Sequence, residues 1–212
     1  MSARIGLTQR ADPVPGRSER RDALDQRWAE LLDDAGFTPV PIPNRLADPG
    51  AFIANVGLRM LIFSGGNDLD DLDDAMNTAP ERDETERRLL AAAAETRLPV
   101  LGVCRGLQSM LHSDGAVLRR AEGHVAQPHA IEVVAANDWP VRNGRVVNSF
   151  HDWAVMPADI GPSLVPFALA PDGTVEAAYH RDLPQVCVMW HPERDPEDAD
   201  DLALRRALAG EL

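Results

Sequence analysis

The apolar positions of this chain fall into short unbroken runs that alternate with stretches of helical spacing. Ile5–Leu7, Arg59–Phe63 and Val100–Val103 read as short buried strands, each bounded by glycine, proline or polar residues. Between the first two, Leu24, Trp28, Leu31, Leu32 and Ala35 recur at helical spacing after Ser18, a candidate N-cap, and Gly36 closes the pattern. Phe37–Pro43 is punctuated by Pro39, Pro41 and Pro43, which predicts an extended outer strand. Residues 48–57 predict a weak helix ending at Gly57, and residues 82–97 a strong one ending before Pro99. This repeated strand–helix order up to residue 112 implies a parallel sheet with helices on both faces. From Ala130 onward strands dominate: Ile131–Val134, Arg145–Val147, Leu164–Leu169, Thr174–Tyr179 and Gln185–Trp190. The turns Asn143-Gly144 and Asp172-Gly173 suit antiparallel pairing there. Pro196 and an acidic first turn predict a last helix over 196–209.

With no repeat, low-complexity tract or linker in the pattern, the 212 residues are expected to form one α/β domain, 1–212. The net charge of −13 argues against a nucleic-acid or anionic-membrane surface. It leaves room for a phosphorylated small molecule, which needs only a local arginine cluster, and all 21 basic residues are arginine. No run of apolar residues approaches the length of a membrane span, and no basic-plus-apolar leader opens the chain. The two distant cysteines, Cys104 and Cys187, suit a reducing compartment, so a cytoplasmic protein is expected. The oligomeric state is open, with a homodimer as one option.

The chemistry concentrates at Gly102-Val-Cys104-Arg-Gly106, where the buried strand stops and helical spacing (Leu107, Met110, Leu111) begins at once. A strand-to-helix turn with flanking glycines is the pattern of a nucleophile elbow, here carrying cysteine, and the helix N-terminus behind it favours the thiolate. A cysteine nucleophile needs a base, and the base needs a carboxylate to hold its tautomer. His191-Pro192-Glu193 follows the last apolar strand and supplies both. Gly65-Gly66-Asn67-Asp68 follows the strand before the elbow strand, so its N–H groups, with that of Arg105, form a candidate oxyanion hole. Cys187 reads as core. His124 and His129 sit in a loop with no cysteine or acidic partner in a zinc pattern, and Asp68–Asp74 lacks the order of a calcium loop, so neither a metal nor a cofactor is expected.

Pro-Val-Leu-Gly-Val-Cys-Arg-Gly-Leu-Gln, Ile-Phe-Ser-Gly-Gly-Asn-Asp and Met-Trp-His-Pro-Glu resemble, in order and spacing, the three signature blocks of class I glutamine amidotransferases. The resemblance covers nearly the whole chain. It implies a flavodoxin-like sheet and a γ-glutamyl thioester, with Cys104 as nucleophile, His191 as base and Glu193 as orienting carboxylate. It implies an oxyanion hole at the backbone of Gly66 and Arg105, and a glutamyl pocket lined by Gln108. Cys-Arg-Gly, Arg82-Asp83-x-x-Glu86 and Asn148-Ser149-Phe150-His151 are similar to the free-standing γ-glutamyl hydrolase branch, which is peptidase C26-like. Within it, Gly-Leu-Thr-Gln-Arg, Gly-Gly-Asn-Asp-Leu and Asn-Ser-Phe-His-Asp-Trp look most like γ-glutamyl-CDP-amidate hydrolases, which act in making phosphoramidate-modified surface polysaccharides. His112-Ser113-Asp114-Gly115 departs from the Asn and Gly-Gly common in relatives.

A hydrolase must also grip the group beyond the amide, and Arg10, Arg82, Arg105 and His151 are candidates for an acidic or phosphorylated leaving group. Arg82 has the duller option of a helix-start salt bridge to Glu86, and Arg105 that of a structural carboxylate pair. The expected function is hydrolysis of a small-molecule γ-glutamyl amide, with a γ-glutamyl nucleotide amidate as one substrate class and a γ-glutamyl-polyamine or aminobutyrate as another. The competing readings are a glutaminase subunit that passes ammonia to a separate synthetase, and a non-catalytic binding domain that has kept the elbow.

Overall fold

A computed structural model describes residues 2–135 and 141–195. The predicted helix at 196–209 lies outside them. The elements run β1 (Arg4–Thr8), β2 (Arg10–Pro13), β3 (Arg20–Ala23), α1 (Arg27–Asp34), β4 (Thr38–Ile42), α2 (Pro49–Val56), β5 (Leu58–Phe63), α3 (Pro80–Thr96), β6 (Val100–Val103) and α4 (Arg105–Ser113). The second half continues with β7 (Arg119–Arg120), β8 (His129–Ala130), β9 (Glu132–Val133), β10 (Val146–Val147), β11 (Trp153–Ala154), β12 (Leu164–Leu169), β13 (Val175–His180) and β14 (Gln185–Val188).

One eight-stranded sheet organises the chain, in the order β4-β1-β5-β6-β14-β13-β12-β9. From β4 to β14 the pairs are parallel, and from β14 outward they are antiparallel. The expected α/β class, mostly parallel with an antiparallel second half, is what forms. Successive residues of β5 alternate between two cores, Met60 and Ile62 joining Trp28 and Leu32 of α1, Leu61 and Phe63 joining Leu89 of α3 and Leu107 of α4. Both faces of the sheet are therefore covered, which is why these strands read as unbroken apolar runs.

Residues 10–23 differ from expectation. Ser18 caps no helix; β2 and β3 form an antiparallel ribbon in register from Arg10↔Ala23 to Pro13↔Arg20, and α1 begins only at Arg27. The ribbon is anchored from outside its own sequence: the Asn67 amide accepts from Ala11 N at 2.9 Å and donates to Ala11 O at 3.2 Å. The predicted strand 131–134 shortens to β9, with Ile131 separating it from the short β8. Among the described residues no helix is long and apolar enough to cross a membrane.

The chain leaves β1 for the outer strand β4 and returns on the other side of β1 as β5. Such a switch opens a crevice at the carboxyl ends of the parallel strands. Gly65 follows β5, Cys104 follows β6 and His191 follows β14, so separate segments are delivered to that one edge.

Candidate active site

The elbow is built from the two glycines outward. A Cβ on Gly106 would stand 2.1 Å from the Phe63 carbonyl oxygen, and one on Gly102 would stand 2.6 Å from Met110 Sδ and 2.8 Å from the Gly106 backbone. Only hydrogen at both positions lets the start of α4 pack directly on the end of β5. Between them Cys104 is held at φ 53°, ψ −104°, a conformation that costs an L-residue about 1–3 kcal/mol. The turn is pinned by Cys104 N donating to Val188 O at 2.8 Å and Gln108 N donating to Cys104 O at 3.1 Å. The side chain is 5% exposed, at the head of α4, whose first N–H groups have no partner within the helix.

His191 and Glu193 meet this thiol from β14. Nδ1 of His191 is 2.7 Å from Glu193 Oε1, which leaves the imidazole's other edge free to serve Cys104, whose charge acts on the ring. Burial works against the imidazolium, but the neighbouring Cys104, and after it Glu193, outweigh burial and push the His191 pKa up to about 9. The arrangement is thus a cysteine–histidine couple oriented by a carboxylate. Gly65 lies beneath it: a Cβ there would be 2.7 Å from His191 Cε1 and 3.6 Å from Cys104 Cβ. Gly66 is held at φ 86° and Asn67 at φ 57°, a left-handed turn next to the thiol.

The remaining predicted residues divide into those that face the crevice and those that hold it. A cavity of about 280 Å³ beside His191 is lined by Arg10, Leu24, Trp28, Gly65, Gly66 and Glu193, with Arg194 at its edge. Arg10 is partly exposed there and is bonded to Asp12 at 2.9 Å. Arg82, considered for substrate contact, is instead wholly buried. Its guanidinium donates to the carbonyls of Ser64 (2.6 Å), Gly65 (3.1 Å) and Gly66 (2.7 Å), and its Nε to Glu86 at 2.9 Å. It grips the glycine turn from behind. The Arg105 side chain is also buried and pairs with Glu86 and Asp83 of α3, so only its backbone N–H remains for the oxyanion position. The duller reading of both arginines is the one the structure adopts.

Gln108 is buried and donates to Trp153 O at 3.1 Å. Asn148 clamps the base itself, its Nδ2 donating to His191 O and its Oδ1 accepting from His191 N, both at 2.9 Å. Ser149 donates to His124 O at 2.7 Å. His151, a candidate for leaving-group contact, is buried with Nδ1 on Trp153 O at 2.9 Å, away from the crevice. Two neighbours of the base were not singled out from sequence: Phe150, whose ring meets His191 edge-on at 6.0 Å, and Arg194, stacked 4.5 Å over Phe150. Arg194 had a signal, a basic residue directly after His-Pro-Glu. Phe150 had none that separates it from its motif.

A larger cleft of about 490 Å³ lies between the acidic loop and helices α3 and α4, lined by Asp70, Asp71, Asp83 and Glu84, and neither Cys104 nor His191 lines it. Arg87 and His112 also line it, so its wall carries both signs of charge. Cys187 is core as expected, with burial pushing its thiol up to about 12. The departure at Asp114 has a structural use: its carboxylate accepts from Ser163 N and Leu164 N, at 2.8 and 3.0 Å. His124 and His129 do have an acidic partner, Glu176, contributed by β13 from far along the chain.

The chain is 29% identical over 194 residues to the gamma-glutamyl-CDP-amidate hydrolase of Campylobacter jejuni subsp. jejuni serotype O:2, covering 90% of each. It is 26% identical over 234 residues to the gamma-glutamyl-gamma-aminobutyrate hydrolase of Escherichia coli O157:H7, covering 96% of this chain and 89% of the other. A glutamine amidotransferase from Thermotoga maritima shares the fold with a TM-score of 0.68 at 14% identity, over 97% of this chain and 86% of that one. The Peptidase C26 family model matches residues 5–193, a span that contains the elbow, the glycine turn and the His-Pro-Glu block, and the chain accordingly belongs to the Peptidase C26 family, as an amide hydrolase related to the γ-glutamyl hydrolases.

Proposed function

We propose that this chain hydrolyses a γ-glutamyl amide through a γ-glutamyl thioester on Cys104, and that its substrate is a γ-glutamyl nucleotide-diphosphate amidate of the γ-glutamyl-CDP-amidate type. The observation that carries the mechanism is the buried Cys104–His191–Glu193 contact directly above the Gly65-Gly66 turn. Cys104 Sγ attacks the γ-carbonyl carbon, and the developing oxyanion faces the backbone N–H groups of Arg105 and the Gly66 turn. The His191 imidazolium gives its proton to the leaving nitrogen as the C–N bond breaks. The imidazole then takes a proton from water, which attacks the thioester, releases glutamate and regenerates the thiolate.

Support for the substrate class comes from the crevice rim and the Campylobacter relative. Arg10 and Arg194 both line the cavity beside His191, two guanidinium groups in a chain of net charge −13. Arginine suits a diphosphate because its fork donates to two oxygens at once. On this reading the enzyme serves the formation of phosphoramidate-modified capsule polysaccharide and works as a free-standing hydrolase.

The test is glutamate release by the purified chain from γ-glutamyl-CDP-amidate, γ-glutamyl-aminobutyrate, γ-glutamyl-putrescine and glutamine. Turnover of the nucleotide amidate at least tenfold above the others is expected, with Cys104→Ala inactive but folded. Preference for the aminobutyrate or putrescine conjugate overturns the substrate class. Wild-type glutamate release by Cys104→Ala overturns the mechanism.

A further inference from the structure

Far from the thiol in sequence, a second group of histidines, His124 and His151 buried and His129 half-buried, surrounds a carboxylate. Glu176 lies on β13 with no exposed surface, and neither of its side-chain oxygens has a hydrogen-bond partner among the described residues. The ligand atoms of His124, His129 and Glu176 all lie within 4.8 Å of one another. Nε2 of His129 is 3.3 Å and Nε2 of His151 3.5 Å from Glu176 Oε1, close approaches that lack hydrogen-bond geometry. His124 Nδ1 is likewise buried without a partner among the described residues.

The opposite nitrogens are all engaged. His124 Nε2 meets Asp172 Oδ2 at 2.9 Å, His129 Nδ1 meets Gln127 O at 3.3 Å, and His151 Nδ1 meets Trp153 O at 2.9 Å. A ring nitrogen on a carbonyl or carboxylate oxygen must be the protonated one, so in a neutral ring the inward nitrogen carries a lone pair. Metal-bound histidines are held in this way, with the outer N–H fixed on a carboxylate or backbone carbonyl. Without a cation, a buried carboxylate faces several lone pairs, which is among the costlier arrangements a protein interior can hold.

We propose that His124 Nδ1, His129 Nε2, His151 Nε2 and Glu176 bind a zinc ion. Three imidazoles and a carboxylate form a borderline-soft, four-donor set that suits tetrahedral Zn²⁺. Ligands about 2.0–2.1 Å from such an ion stand about 3.3–3.4 Å from one another. The two measured approaches to Glu176 match that spacing. His151 lies outside the trio whose ligand atoms are mutually within 4.8 Å, so its imidazole must turn toward His124 and His129 to complete the four. Four protein ligands leave no open position, so the ion is structural. It ties the loop bearing His124, β8 with His129, and the Asn148–His151 segment to β13 of the sheet. That segment carries Asn148, whose amide holds both backbone groups of His191. The ion thereby stiffens the mount of the base without joining the reaction.

The experiment is metal analysis of the full chain, produced without a histidine tag in zinc-supplemented medium and dialysed. About one zinc per chain is expected in the wild type and in Cys104→Ser, and less than a tenth of that in Glu176→Gln and His124→Asn. Metal-stripped wild type titrated with Co²⁺ should develop the visible absorption of a tetrahedral site, saturating at one equivalent, and added Zn²⁺ should raise its melting midpoint by several degrees. A folded wild type with no zinc and no saturable Co²⁺ absorption overturns the proposal in favour of imidazolium–carboxylate pairing. Metal that disappears in Cys104→Ser yet persists in Glu176→Gln overturns it too, by moving the ion to the catalytic thiol.

Discussion

Two buried charge clusters flank the elbow, and they are finished to different degrees. On the α3 side, Arg82 has every guanidinium nitrogen engaged, on Glu86, on the carbonyls of residues 64–66 and near Thr8, and Arg105 beside it leaves Nε alone without a hydrogen-bond partner among the described residues. On the β14 side, Glu193 spends one oxygen on His191 and leaves Oε2 without a hydrogen-bond partner among the described residues, while Cys104 is held in a strained backbone conformation. The saturated Arg82 can only hold shape. The Glu193 carboxylate retains capacity to accept charge as bonds form and break, and that is what a reaction centre requires. The two are joined: the carbonyls that Arg82 grips belong to the turn whose glycines lie under His191.

Removing a member of each cluster separates the roles most sharply. Cys104→Ala is expected to lower kcat by a factor on the order of 10⁴ or more while leaving the urea midpoint within error of wild type or slightly higher, since it removes a reacting atom and keeps the packing. Glu86→Ala should do the reverse. Stranding the Arg82 and Arg105 charges in the interior is expected to destabilise the fold by about 3–5 kcal/mol, read from the shift of the urea transition. If Glu86→Ala proves as stable as wild type, the contrast between the clusters fails.

A smaller effect probes the join. Gly65→Ala places a methyl group 2.7 Å from His191 Cε1, so the imidazole must shift. About a 10–100-fold loss of kcat is expected with little change in melting temperature, as displacement of a catalytic group by about 1 Å costs rate without packing. An equal loss of stability would mean that the turn, and not the base, is what the methyl disturbs.

The most delicate measurement is the titration of His191. Its folded pKa is raised to about 9, so the stability it contributes is complete below its unfolded value of about 6.5 and is lost as pH rises through about 9. The alkaline limb of kcat/KM should lie in the same region, because above it the leaving nitrogen finds no proton donor. Cys104→Ala removes the principal group holding the imidazolium, so the His191 ring resonances in NMR should titrate at lower pH than in wild type. An unchanged or higher titration would detach His191 from the thiol.

The elbow was legible in sequence because its cause is local. Gly102 and Gly106 mark the close approach of α4 to β5, and apolar runs with a change of period mark the strand and helix around them. The β2–β3 ribbon was not legible, since its edge is held by Asn67 from a different loop, and local signals favoured a helix start at Ser18. Motif chemistry makes Arg82 and His151 candidates for substrate contact, and their burial depends on what packs over them, which adjacent residues do not encode. Arg194 sat one residue beyond the block that drew attention to Glu193.

By itself, then, the sequence determined the α/β class, the switch from parallel to antiparallel pairing and the candidate nucleophile, base and carboxylate, because glycine spacing, apolar period and strand-end position act over a few residues. Only the tertiary structure decided which polar groups face the crevice and which face inward. Arg82 reaches the carbonyls of residues 64–66, Asn148 reaches His191, and Glu176 reaches His129 across long stretches of chain. Whether a charge is saturated or left with capacity depends on partners that only folding brings within hydrogen-bond distance.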